Sequence, residues 1–167
     1  MTNIDKFIEQ QREFVLRVFK GEGELQPILC FLTEKEGKLG TSFCPIPTEL
    51  MNDEGKDIIR YQLIEQVKSV IKGQGHKLLC VNWNSEGWMY QSSKEQLEEV
   101  NGHYRKLPRT EVLLMSFDTE SGSQVITYEI KRNLSVGENG LNEEVEVELM
   151  ELSKNVTSKG RFTKMFD

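Results

Sequence analysis

Between residues 3 and 20, Ile4, Phe7, Ile8, Val15, Val18 and Phe19 recur at spacings of three, four and seven. That spacing lays an apolar stripe along one side of an amphipathic helix. Thr2 with Asp5 three residues on forms a capping pair at its start, and Gly21 and Gly23 end it. Two apolar runs, residues 25–33 and 39–46, then flank a polar E-K-E-G-K turn, the pattern of a β-hairpin. Pro27 marks a strand end or an edge, while Pro45 and Pro47 stop the second strand because neither can donate to a ladder. Asn52 or Asp53 caps a second helix, in which Ile59, Leu63, Val67, Val70 and Ile71 share one face until Gly73 and Gly75.

From His76 the period changes to that of strands. H-K-L-L-C-V-N-W and E-G-W-M-Y-Q flank a short N-S-E-G turn, and E-V-L-L-M-S-F-D is joined to S-Q-V-I-T-Y-E-I-K-R by T-E-S-G. Both pairs read as hairpins. Residues 92–108 between them are polar and read mainly as a loop, with a helical turn around Leu97. Long loops inside a domain are uncommon and often functional, which makes this segment the candidate binding loop. Glu144, Glu146 and Glu148 alternate with Val145, Val147 and Leu149, the period of a last strand with one buried face. The expected fold class is α+β: a mostly antiparallel β-sheet of about six or seven strands with two main α-helices packed on it. Residues 1–152 form the single α+β domain, and residues 153–167, with four basic residues and one acid, form a basic C-terminal tail.

Composition narrows the function classes. A chain of 167 residues can bury roughly 70% of its unfolded surface, so it needs no metal or disulfide to hold it. A net charge of -6 argues against nucleic acid as a partner, since such binding draws on phosphate neutralisation. Charges scattered through residues 1–20 leave neither a signal peptide nor a membrane anchor, which predicts a cytoplasmic protein with no membrane partner. Cys30, Cys44 and Cys80, an odd set without C-x-x-C spacing, fit reduced thiols.

Candidate chemistry is sparse. No cofactor or metal motif is present, and His76, His103 and the three cysteines lack ligand spacing. His76 and Cys80 are about 13 Å apart along one strand, too far for a nucleophile pair, and Cys80 between Leu79 and Val81 reads as a buried thiol. Asp118 and Glu120 read as solvated turn-formers rather than acid–base partners. Glu86, Arg109, Glu111 and Arg132 read as an ion-pair cluster across neighbouring strands, beside Trp88; the sharper reading is a site for a small anion or a partner carboxylate. In the tail, Lys154, Lys159, Arg161 and Lys164 interleave with Phe162, Met165 and Phe166, a basic segment with apolar anchors suited to docking on a protein.

S-E-G-W-M at residues 85–89, L-P-R-T-E-V-L at 107–113 and I-K-R at 130–132 resemble a loosely defined set of uncharacterised bacterial and bacteriophage proteins. Those have a strand with Glu and Trp, a later R-x-E at a strand start, and an Arg after the next strand. The resemblance covers the central third of the chain and implies a similar α+β fold and a phage or prophage origin, with no activity attached.

The expectation is a non-enzymatic binding or assembly module. Its contacts come from the 92–108 loop, the Trp83 and Trp88 region and the tail, with Trp88, His103, Tyr104, Arg109, Glu111, Arg161, Phe162 and Phe166 as partner-binding residues. The partner is a protein, or a second copy through the tail. The alternatives are a small hydrolase using Glu86, His103 or Glu111, and an inhibitor of a host protein that mimics nucleic acid.

Overall fold

The computed structural model describes residues 1–90 and 92–150, apart from the side chains of Asp53, Lys56, Asp57, Arg60 and Tyr104. The expected boundary at residue 152 and the tail residues Arg161, Phe162 and Phe166 lie outside the described residues. Helix α1 spans Asn3–Glu22 and is followed by strands β1 (Ile28–Lys35) and β2 (Lys38–Pro45). A 3-10 turn (Thr48–Met51) leads into α2 (Asp53–Ile58), a π-helical segment (Ile59–Leu63) and α3 (Ile64–Gly73). Strand β3 (Lys77–Tyr90), short helix α4 (Lys94–Glu99), a 3-10 turn (Tyr104–Lys106), and strands β4 (Arg109–Thr119), β5 (Gly122–Gly137) and β6 (Gly140–Leu149) complete the order. The six strands make one antiparallel sheet, β2-β1-β3-β4-β5-β6, curled into a half-barrel.

Helix α1 begins as its sequence predicts. The Thr2 hydroxyl accepts from Asp5 N–H at 3.1 Å, and the Asp5 carboxylate accepts from Thr2 N–H at 2.7 Å. It ends one residue before Gly23, whose φ of 76° is left-handed and whose N–H bonds Phe19 carbonyl. Between β1 and β2 the turn residues Glu36 and Gly37 both have positive φ, the geometry that matches strand twist in a two-residue hairpin.

Strand alternation distributes the helices over both faces of the sheet. Phe7, Val15 and Phe19 of α1 pack with Cys30, Leu32, Cys80, Leu113, Met115 and Phe117, with Phe7 edge-on to Phe117 at 6.5 Å. Complete burial of a phenylalanine contributes about 2 kcal/mol, so these rings anchor α1. On the opposite face, Ile59 and Ile64 pack with Leu29, Phe31, Ile46, Val81 and Trp83. Neighbouring residues of β1 and β3 therefore serve different cores.

Four expectations need correcting. No turn interrupts residues 82–87: β3 runs through N-S-E-G as one fourteen-residue strand, because Asn82, Asn84 and Ser85 are paired with β4 and buried. Asn82 and Asn84 bond each other's side-chain amides at 2.6 and 3.0 Å, which satisfies polar groups that would otherwise favour a turn. The β3–β4 joint is thus the 92–108 segment, and it is not mainly loop. Its helix α4 starts at Ser93, which makes a full capping box with Gln96. In the second helical region, the π turn shifts the phase of the stripe, so Ile64 is buried while Val70 is 55% exposed. Asp118, finally, is fully buried within β4; only Glu120 sits at the exposed turn.

Strand β5 continues well beyond the expected end at Arg132, and G-E-N-G turns it into β6. Pairing of β5 with β4 spans Gly122 to Glu129, whereas its pairing with β6 runs from Tyr128 to Gly137. Residues 133–142 therefore project as a two-stranded arm, while Ile130, Val145 and Val147 still pack on the α1-side core.

Candidate functional site

The residues singled out from sequence gather on the α1 face of β3, β4, β5 and β6, where the register places Glu86, Trp88, Arg109, Glu111, Arg132 and Glu143 side by side. Arg132 is the hub. Its Nε donates to both Glu111 oxygens at 3.0 Å, and its Nη2 donates to Glu111 Oε1 at 2.8 Å and to Glu86 Oε1 at 3.1 Å. Nη1 donates to Glu143 Oε1 at 2.8 Å and to the Gly23 carbonyl at 3.0 Å. Placing a cation on that carbonyl opposes the negative end of the α1 dipole. The guanidinium also lies 5.8 Å from the Phe19 ring centroid. One planar fork thus ties the end of α1 to all four strands, a geometry that lysine could not supply.

Its hydrogen bonds to the Glu111 and Glu143 carboxylates raise the pKa of the Arg132 guanidinium above its ordinary value and hold it charged. For Glu86, partial burial pushes the carboxyl up, against the lowering effects of the Leu25 N–H and Arg132. Its second oxygen accepts that N–H at 3.3 Å. Both oxygens of Glu86 and both of Glu111 are thereby engaged in binding donors of the protein itself.

Arg109 does not join this cluster. Its guanidinium lies over the Trp88 ring, 4.0 Å from the centroid, and Trp88 is 51% exposed. Trp83 points the other way: it is 4% exposed, part of the second core, and its indole N–H donates to Ser85 Oγ at 2.9 Å. The Trp83 half of the expected contact region is therefore core. His103 lies exposed in the turn after α4, its backbone bonded to Val100 and Lys106. Among the described residues no hydrogen bond or ion pair joins its ring to Glu86 or Glu111. Tyr104 opens the following 3-10 turn. A cavity of about 460 Å³ where the α1–β1 connection meets residues 47–49 touches Glu86, Glu24 and Glu49, but neither Glu111 nor His103 lines it.

Burial pushes the Cys80 thiol up to about 12, with the Asp118 charge adding to it, and pushes Cys30 up to about 12 as well. Neither is a thiolate at neutral pH. His76 precedes β3, with Nδ1 3.4 Å from the Thr33 hydroxyl. Among the described residues, no three His, Cys, Asp or Glu side chains converge as ligands would, and no helix is long and apolar enough to cross a membrane.

The arm is the feature that sequence reading missed. Leu134, Val136 and Leu141 share its α1-side face and are 70%, 84% and 74% exposed; Val136 and Leu141 are directly paired. Asn133, Ser135 and Asn142 occupy the other face. The signal was present as L-S-V followed by G-E-N-G, an alternating strand and a hairpin turn.

No family model, curated protein or solved structure matches this chain.

Proposed function

We propose that this chain is a non-enzymatic binding and assembly module whose contact surface is the β5–β6 arm together with the neighbouring Trp88–Arg109 patch. The observation that carries the reading is the bare apolar face of the arm. Leu134, Val136 and Leu141 follow the alternation of a strand face built for burial, yet no element of the described chain covers them. A two-stranded ribbon is marginal in water until a further layer or strand joins it. Trp88 adds an aromatic anchor of the kind that dominates protein contacts.

The hydrolase alternative has less behind it. Glu86 and Glu111 would have to leave Arg132 before acting on a substrate, and among the described residues no hydrogen bond or ion pair joins His103 to either. The 92–108 connection keeps its place as a secondary contact, with His103 exposed on it.

The test compares the chain with a Leu134→Thr, Val136→Thr, Leu141→Thr variant. Exposed positions of this kind leave stability within about 0.5 kcal/mol. Affinity capture from extracts of the source cells, quantified by mass spectrometry, is expected to lose its specific partners in the variant. Identical captured sets from both forms would sink the proposal.

A further inference from the structure

Across the sheet from the arm, a cavity of about 360 Å³ lies between the first hairpin and α3. Phe31 of β1, Cys44 of β2, Leu63 of the π-helical segment, and Val67 and Ile71 of α3 form much of its wall. Its volume falls at the small end of ligand sites, which run from about 300 to 1,000 Å³. Val70 also lines it and is 55% exposed, which puts an apolar side chain where the cavity meets solvent. The π turn rotates Val70 into that place, and such turns are rare and frequent at functional sites.

The lining also restricts the charge of an occupant. Among the described residues no Asp, Glu, Lys or Arg borders the cavity, in a chain of which 29% is charged. A charged molecule would give up its hydration there and meet no counter-charge.

The hydrogen-bonding end is at His76. Thr33 is buried, and its hydroxyl proton is donated to the Gly40 carbonyl at 3.4 Å. His76 Nδ1 lies 3.4 Å from the same hydroxyl oxygen, which can then only accept, so Nδ1 is the ring nitrogen that donates. The neutral imidazole is left with Nε2 as its acceptor. Among the described residues no group donates to that nitrogen.

We propose that this cavity binds a small neutral molecule with an apolar ring body and one proton donor, the donor bonding His76 Nε2 and the ring packing against Val67 and Ile71. The site is on the opposite face of the sheet from the arm, and it stands or falls separately from the contact-surface reading.

The test uses the full chain and two probes, 1-naphthol, which has both features, and naphthalene, which lacks the donor. Fluorescence titration is expected to show saturable binding of one equivalent of each. His76→Phe keeps a ring in place and removes the acceptor; it should weaken 1-naphthol about fivefold and leave naphthalene unchanged. Equal weakening of both would overturn the role given to His76. Val67→Trp fills the space and should abolish binding of either probe. A second measurement does not depend on that variant folding. Cys30 and Cys80 are fully buried, whereas Cys44 is half-buried and borders the cavity, so bound 1-naphthol should slow its alkylation by iodoacetamide several-fold, read by peptide mass. Titrations that never saturate, or a Cys44 that reacts as fast with 1-naphthol as without it, would overturn the site.

Discussion

Glu86 is where desolvation and ion pairing oppose each other most directly. Its raised pKa means that the folded state holds the proton more tightly than the unfolded chain, whose carboxyl titrates near 4.5. Between those two values the native state binds more protons, so stability increases as pH falls through the window and the contribution is complete below 4.5. Glu86→Gln imitates the protonated carboxyl and lacks this slope. Urea midpoints of both forms, measured from pH 7 down to 4.5, should show the variant at least as stable at neutral pH and the difference closing on acidification; a difference that widened would refute the assignment. The meeting of Glu86, Glu111 and Arg132 was legible in the sequence as opposite charges on neighbouring strands, even though the turn expected at residues 84–87 hid the strand position of Glu86. Arg109 was not, since nothing in L-P-R-T-E distinguishes a carboxylate partner from an aromatic ring.

Elements were readable where local chemistry and tertiary packing agree. Helix α1, the first hairpin and the β4–β5 hairpin carry capping, turn and periodic signals that all point one way. β3 was misread because Asn, Ser and Gly favour turns locally, and only pairing with β4 together with the burial of Asn82, Asn84 and Ser85 overrides that preference. Once it is taken as continuous, the five-residue spacing of Trp83 and Trp88 puts them on opposite faces. The second helical region depends on a close approach that composition could not reveal. Asn52 Oδ1 accepts from Gly55 N–H at 2.6 Å, and a Cβ on Gly55 would collide with the Leu50 backbone. Gly55→Ala is therefore expected to destabilise the fold by about 2 kcal/mol, the cost of overpacking against backbone. Chemical denaturation measures it, and a loss below a few tenths would show that the 3-10 turn moves aside freely.

At the scale of the whole molecule, the two helical layers build their cores on opposite faces of one sheet. Cys80 faces the α1 side, Val81 and Trp83 face the α2–α3 side, and all three belong to β3, which is paired with β1 on one hand and β4 on the other. Stripping either helix layer bares one surface of that strand. Hydrogen exchange should then find the amides of residues 80–83 the slowest, opening only with global unfolding, while those of residues 133–142 exchange by local fraying. Separate unfolding transitions for the two helical layers would contradict this. A shared central strand makes cooperativity a matter of geometry: damage on one side of the sheet is felt at once on the other, so a sequence change beneath α1 registers in the packing of α3 without any contact between the helices.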